Sequence, residues 1–183
     1  MKKKSVKRFL QNILLAIELT IYIAYLHFDK VIFIGIIALD QYTKAQVIDT
    51  MRVGETIPII QDIFHITYVI NPGAAFGILP YQRVFFVTTG TLILLLAALY
   101  YAKLKKIDKV MRLGGMITAA GALANLIDRV RNGVVTDLFD CRFLNFPVFN
   151  VADIAIVLGT FIMIYVVMFQ SEKLNGIKEV RQP

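Results

Sequence analysis

Long apolar runs divide the chain into segments that suit membrane helices. A helix needs roughly 20 apolar residues to cross the hydrocarbon core, because its backbone groups must be satisfied within the helix there. One span must lie before Asp40, where the apolar stretch is longer than one ordinary span requires. The other three runs follow later in the chain, from Val84 to Ala102, Leu113 to Ile127 and Ile154 to Phe169. The pattern therefore predicts four transmembrane helices, the first ending near Asp40.

The beginning of the chain fits this scheme less simply. We expect residues 1–22 to form an atypical N-terminal extension along the inner membrane interface, since Gln11, Asn12 and Glu18 interrupt its apolar pattern. A cleaved signal peptide is the alternative, although no small-x-small cleavage site precedes Asp29. Asp29 and Lys30 fall inside or beside the first span, so they must pair or reach the interface.

A different periodicity follows the first span. Phe64, Ile66, Tyr68 and Ile70 alternate with their neighbours, which is typical of a strand with two unlike faces. We interpret residues 42–82 as an extracytoplasmic β-rich segment that reaches a turn at residues 71–73. A plain β-hairpin without a chemical role is the simpler alternative. The predicted fold is a single integral membrane domain over residues 1–183, an all-α membrane protein with four transmembrane helices and a small extracytoplasmic β-sheet.

The third apolar run is unusually rich in small residues. Such residues let helix backbones approach closely in a membrane, so this run should be the central helix of the bundle. They are Gly114, Gly115, Ala119, Ala120, Gly121, Ala122 and Ala124.

Composition and charge support a membrane protein and give it an orientation. A hydrophobic content of 57% and a mean hydropathy of +0.66 exceed what a soluble domain of this size could bury. The net charge of +7 comes largely from basic clusters at residues 2–8, 103–112 and 173–181, which should all be cytoplasmic. Both termini are then cytoplasmic, an even number of spans is required, and no nucleic-acid partner is expected.

Several kinds of chemistry lack the residues that they need. The single cysteine, Cys141, excludes an internal disulfide and a cysteine-cluster metal site. His27 and His65 lack the spacing of a zinc protease motif. The only serines, Ser5 and Ser171, lie in segments expected on the cytoplasmic side, so no serine nucleophile is available outside. We expect no metal and no cofactor.

Three acids lie at the predicted outer ends of the third and fourth spans or in the joining loop, residues 129–150. Asp153 could simply offset the helix dipole with Asn150 as N-cap, and Asp128 could pair with Arg129. A four-helix arrangement would however bring Asp128, Asp137 and Asp153 to one level. Two carboxylates that share a proton can activate a water and protonate a leaving amine.

Two other functions use acids in membrane helices. A small transporter could use them as a proton or cation relay, but four spans without an internal repeat are few and the acids cluster at one face. A non-catalytic scaffold would use every acid as a cap or an ion pair. Because asparagine keeps the shape but does not titrate, Asp→Asn substitution separates these functions from an aspartic catalyst.

Five sequence blocks together resemble the lipoprotein signal peptidases, or signal peptidase II, of bacteria. They occur in the family's order and at compatible spacing over roughly residues 31 to 170. The blocks are "LDQYTK" (39–44), "NPGAAFG" (71–77), "GALANLIDR" (121–129), "GVVTDLFD" (133–140) and "FNVAD" (149–153). The resemblance implies a multi-pass aspartic endopeptidase of the bacterial cytoplasmic membrane, with its active site near the outer face.

The resemblance also implies a substrate and roles for individual residues. The enzyme would remove the signal peptide from diacylglyceryl-modified prolipoproteins, within membrane lipid, by cutting before the modified cysteine, and it would bind globomycin-type inhibitors. Asp137 and Asp153 would be the catalytic pair. The supporting residues implied are Asn71 and Gly73 in the substrate cleft, Asn125, Asp128 and Arg129 around the acids and the substrate backbone, Asn150 beside Asp153, and Asp40 with Lys44 at the outer end of the first span.

Overall fold

A computed structural model describes residues 13–14, 28–73, 78–104, 109–144 and 146–169. The N-terminal extension predicted for residues 1–22 lies almost entirely outside these ranges, as do the first and last basic clusters. The principal elements, in chain order, are helix α1 (Phe28–Thr50), strands β1 (Thr56–Ile60) and β2 (Phe64–Asn71), helices α2 (Arg83–Leu104) and α3 (Lys109–Asn132), strand β3 (Val135–Cys141), a 3-10 turn (Arg142–Leu144) and helix α4 (Val151–Phe169).

The described part of the chain is mostly helical, and three helices within it are long and apolar enough to cross a membrane. These are α1, α3 and α4. The apolar part of α2 within the described residues is the shorter stretch Arg83–Leu99. The predicted membrane helices are thus present as helices, while the fourth crossing stays a prediction.

The first helix is longer than the sequence suggested. We expected a span that ends near Asp40, and this boundary is wrong because α1 continues to Thr50, so residues 42–50 are helical instead of part of a β-rich segment. Asp40 and Lys44 do not end the helix, since they pair across one turn and are buried (0% and 2% exposed). Near the other end of α1, Asp29 is buried and its Oδ2 lies 3.3 Å from Nε of Arg112, so the expected pairing is confirmed.

Helix α3 is the centre of the bundle, as its small residues predicted. It packs against α1, α2 and α4. The α3–α4 seam is the tightest place, because a Cβ added to Gly121 would collide with the carbonyl oxygen of Ala152 and one added to Gly114 would lie 2.9 Å from that of Gly159. This approach holds the beginning of α4 against the end of α3, where the acids lie.

The Gly159→Ala substitution tests the seam. Its new Cβ would lie 2.6 Å from the carbonyl oxygen of Gly114 and would meet the side chain of Thr118, so we expect a loss of about 1–3 kcal/mol of stability. Gly35→Ala on α1 is the matched control, since nothing lies within 4 Å of its added Cβ, and it should be neutral or slightly stabilising. Thermal unfolding in detergent measures both. Equal melting temperatures for the two variants would contradict the close packing.

The described residues also contain a three-stranded antiparallel sheet in the order β1-β2-β3. The strand predicted from the alternation in residues 64–70, with a turn after Asn71, is therefore confirmed as β2. The sequence did not predict β3, which lies within the expected loop at residues 129–150. Asp137 and Asp140 interrupt the apolar alternation of β3, and its pairing with β2 is what makes it a strand.

The sheet has two distinct ends and an irregular middle. Asn71 pairs with Val135 at one end and Phe64 pairs with Cys141 at the other. Between Ile66 and Val69 the register shifts by a bulge, a feature that redirects side chains next to functional sites. The sheet is fixed to α1 through a small core of Val47, Met51, Tyr68 and Leu138. The Asn71 end consequently lies beside the helix ends that carry the polar residues.

Candidate active site

Asp137 lies on β3 with both carboxylate oxygens occupied. Asn71, at the end of β2, donates from Nδ2 to Oδ2 over 3.0 Å, and Asn150 donates from Nδ2 to Oδ1 over 2.6 Å. The side chain is only 2% exposed. Two amides therefore fix the carboxylate from opposite chain segments.

Asp153 lies in the first turn of α4, where it forms a reciprocal cap with Asn150. The side-chain oxygen of Asn150 accepts from the backbone N–H of Asp153 over 2.9 Å, and the backbone N–H of Asn150 donates to Asp153 Oδ2 over 3.2 Å. This is a capping box with an aspartate in the third position. The expected N-cap is present, and it leaves Asp153 Oδ1 to a third residue, since Asn125 Nδ2 donates to it over 2.8 Å.

Asn150 connects the two acids directly. It is fully buried, and its one side chain bonds Asp137 through Nδ2 and caps Asp153 through Oδ1. The same Nδ2 lies 3.2 Å from Oδ1 of Asn125. The acids thus occupy one site that is assembled from β3, α3 and α4.

A buried charge cluster supports this site from the side of α1. Lys44 Nζ lies 2.7 Å from Oδ2 of Asp40, 2.7 Å from Oδ2 of Asp128 and 3.0 Å from Oδ1 of Asn125. Asp40 Oδ1 accepts from the backbone N–H of Ala152 over 2.9 Å, in the same helix turn as Asp153. The ammonium group therefore forms ion pairs with two carboxylates and a hydrogen bond with one amide oxygen. Helix α1 therefore positions both α3 and the beginning of α4.

Arg129 extends from the end of α3 toward the site. It donates from Nη2 to the carbonyl oxygen of Gly73 over 3.0 Å and from Nη1 to that of Asn125 over 3.3 Å. Its guanidinium carbon lies 5.0 Å from the centre of the Phe86 ring of α2, a cation–π contact. No carboxylate of the described residues lies within ion-pair distance of Arg129, so the guanidinium keeps its charge available next to the acids.

The environment of Asp137 changes its acidity. Burial raises the pKa of Asp137 to about 6, and the negative charge of Asp153 adds to the rise. The hydrogen bonds from Asn71 and Asn150 lower the same pKa but do not cancel the effect of burial. The carboxyl group of Asp137 can therefore keep a proton at a pH where an ordinary aspartate has lost it.

All ten residues named from the sequence lie around this site. The acids are not equivalent, because Asp128 bonds Lys44 and Gln41 while Asp137 and Asp153 share Asn150. Gly73 is fixed by its N–H, which donates to Asn71 Oδ1 over 3.0 Å. The expected Asp128–Arg129 ion pair is absent from the described contacts, since Asp128 turns to Lys44 instead.

Two contributors have no signal of their own in the sequence. Gln41 donates from Nε2 to Asp128 Oδ1 over 2.8 Å, and it lies inside the "LDQYTK" block without a predicted role. Phe86 is one of many apolar residues in its helix, so only its position over Arg129 distinguishes it.

Comparisons with known proteins agree on one family. A family model described as signal peptidase (SPase) II matches residues 32–169. The lipoprotein signal peptidase of Clostridioides difficile is 45% identical over 142 residues, which is 77% of this chain and 95% of the relative. That of Halothermothrix orenii is 44% identical over 140 residues, which is 76% of this chain and 94% of the relative.

A solved structure is also similar. It is described as a bacterial membrane enzyme determined in meso at 2.3 Å resolution, and it superposes with a TM-score of 0.74 and 30% sequence identity. The match covers 80% of this chain and 90% of that one. Together with the apolar helices, it identifies this chain as a multi-pass membrane protein.

Proposed function

Because the chain belongs to the signal peptidase II family, a family of membrane proteases, we propose that it is an aspartic endopeptidase that removes the signal peptide from lipid-modified prolipoproteins. The observation that carries the proposal is the pair of acids joined by one buried side chain, that of Asn150. Cleavage would occur before the diacylglyceryl cysteine, at the outer face of the bacterial cytoplasmic membrane, with four spans and both termini in the cytoplasm.

The two acids would divide the work between them. Asp137 is almost fully buried and its pKa is raised, which supports it as the acid that keeps the shared proton and later protonates the leaving amine. Asp153 is partly exposed, which supports it as the base that takes a proton from the attacking water. Asn150 would keep the two at a fixed separation.

The surrounding polar groups would bind the substrate backbone. Asn71 and Gly73 lie at the end of β2 beside Asp137, where an extended peptide could pass. Arg129 brings a positive charge that no described carboxylate neutralises, and it would stabilise the negative charge that develops on the scissile carbonyl oxygen. A diacylated cysteine would keep its acyl chains in lipid while the peptide bond beside it reaches this level. Globomycin-type inhibitors would bind the same cleft.

The test is cleavage of a purified prolipoprotein by the protein in liposomes. A diacylglyceryl-modified substrate should be shortened on a gel, mass spectrometry should place the cut directly before the modified cysteine, and globomycin should inhibit it. The same prolipoprotein without the lipid is the control and should be cut far more slowly. An intact lipidated substrate, or equal cleavage of both substrates, would contradict the proposal.

The pH dependence of cleavage follows from the raised pKa of Asp137. The pair works with one proton, and this proton is lost as the pH rises through the pKa of Asp137, so kcat/KM should fall on the alkaline side. This alkaline limb of the pH profile should lie at about pH 6, and its apparent pKa belongs to the pair of acids.

Asn71→Leu should move this limb to higher pH, because the hydrogen bond from Asn71 lowers the pKa of Asp137. Thr67→Val on the same strand is the control, since Thr67 bonds Asp140 and should leave the limb in place. The measurement is the pH profile of kcat/KM for both variants and the unsubstituted protein in the same buffers. If neither substitution moves the alkaline limb of the profile, Asp137 is excluded as the group that titrates there.

A further inference from the structure

The hairpin that joins β1 to β2 has an exposed apolar surface beside its polar turn residues, Gln61 and Asp62. Ile60, Ile63, Phe143 and Leu144 form it, and we call these four side chains the tip surface; their exposed fractions are 52%, 47%, 62% and 61%. The backbone N–H of Arg142 donates to the carbonyl oxygen of Ile63 over 3.1 Å, which joins the 3-10 turn to the hairpin. The tip surface therefore lies at the Phe64–Cys141 end of the sheet, opposite the end that carries Asn71.

Strand β1 continues the exposed apolar surface along the edge of the sheet. All five of its residues are exposed and none is charged. Edge strands that face water are usually protected by charged side chains, because an apolar edge promotes association between chains. Pro58 removes one backbone donor, but Ile57 and Ile59 remain 45% and 59% exposed. The edge is better suited to an apolar or interfacial surrounding than to water.

A row of aromatic rings places the tip surface beside a membrane helix. Phe149 lies two residues before the start of α4, and its ring centroid is 5.8 Å from that of Phe146 and 5.8 Å from that of Phe139. Phe139 in turn lies 6.0 Å from Phe64, the first residue of β2 after the hairpin. If α4 crosses the membrane from its first turn, these rings lie at the level where the span meets the interface. Aromatic residues are enriched at that level.

We propose that the tip surface inserts into the membrane interface next to the beginning of α4. Exposed apolar side chains recur from the C-terminal half of α1 to β1, at Tyr42, Ile48 and Val53, and alternate there with the exposed polar residues Asp49, Arg52 and Glu55. Arg142 lies beside the tip surface with 44% of its side chain exposed, and its Nε pairs with Asp140 Oδ2 over 3.1 Å, so its charge is compensated within the protein. The sheet would then be held at both ends, by the helices at Asn71 and by lipid at the tip. This inference goes beyond the proposed cleavage and does not depend on it.

Single tryptophans provide the test, since the chain contains no tryptophan of its own. Phe143→Trp and Ile63→Trp are made in the full chain and reconstituted in liposomes with and without brominated lipids. Phe161→Trp, on an exposed position of α4, reports the lipid interior, and Glu55→Trp, in the polar turn before β1, gives the comparison. We expect blue-shifted emission, loss of most intensity with brominated lipid and protection from aqueous iodide at both tip positions.

Two outcomes would overturn the inference. Quenching by iodide without quenching by brominated lipid would place the tip in water. Protection from both quenchers would mean that protein covers the surface, either a second copy of the chain or a bound polypeptide. Labelling of the unsubstituted chain with a lipid-phase carbene probe needs no variant, and the peptides that contain residues 57–63 and 142–144 should carry the label. None of these readouts requires cleavage, so a failed peptidase assay would leave the result interpretable.

Discussion

Asp137→Asn and Asp153→Asn are each expected to lower the rate of prolipoprotein cleavage by about 10²- to 10⁴-fold, because asparagine cannot exchange the proton that general acid–base catalysis requires. Single-turnover cleavage in liposomes at saturating substrate measures the chemical step. Asp140→Asn is the matched control on the same strand as Asp137. Its Oδ2 accepts from both Thr67 and Arg142, so the amide oxygen of asparagine can keep these bonds and the rate should be retained.

The same substitutions should also cost stability, for a reason that the geometry makes specific. Both oxygens of Asp137 accept from N–H groups, and so do both oxygens of Asp153. An asparagine at either position would turn one NH₂ group toward a donor, which costs about 1–3 kcal/mol for the unmet group. Activity must therefore be compared on folded protein, with the folded fraction taken from thermal unfolding. Full activity in both folded variants would remove the acids from the chemistry and leave them as caps.

Lys44→Met should be the most destabilising single substitution in the site. It removes the cation shared by the buried carboxylates of Asp40 and Asp128, and an unpaired buried charge typically costs about 3–5 kcal/mol. Lys30→Met is the control, since Lys30 is exposed on the same helix. The melting temperature in detergent should drop strongly for the first variant and little for the second.

A second substitution shows whether charge is the cause. Adding Asp40→Asn to Lys44→Met removes one of the two uncompensated acids, so part of the lost stability should return. A loss that the second substitution deepens would instead point to the packing of the lysine stem. Because Asp40 also bonds the backbone of Ala152, one residue before Asp153, we expect the single Lys44 variant to cleave slowly even where it folds.

The sequence predicted those parts of the fold that depend on local pattern. The apolar runs gave the helices, the small residues of α3 gave its central position, and the alternation at residues 64–70 gave a strand. The end of α1 was placed too early because Asp40 and Lys44 look like the limit of a span. Only their burial against α3 and α4, which a local pattern does not contain, explains why the helix continues. For the same reason β3 was missed, since Asp137 faces a site that is formed by distant segments and Asp140 bonds Thr67 on the neighbouring strand.

The candidate site could be named from sequence but not built from it. Asp153 and Asn150 stand three residues apart, so the N-cap by Asn150 is a local property and was expected, while the return bond from the Asn150 backbone to Asp153 was not. Asn150 also bonds Asp137, and this contact depends on the pairing of β3. Lys44 bonds Asn125, 81 residues later in the chain, and this contact depends on how α1 packs against α3. Gln41 and Phe86 also belong to the site through contacts between segments that are distant in the sequence.

The Asp40–Lys44 pair has a consequence for how the protein is made. Among the described helices α1 is synthesised first, and Asn125 is made 81 residues after Lys44, a delay of about 4–16 s at 5–20 residues per second. During that time two charged side chains would sit in or near lipid without α3, at a cost of about 2.5–3.5 kcal/mol each if they were separate. Their spacing of one helical turn lets them neutralise each other within α1. The nascent helix can therefore insert as a nearly neutral segment and exchange part of this pairing for Asn125 and Asp128 when α3 arrives.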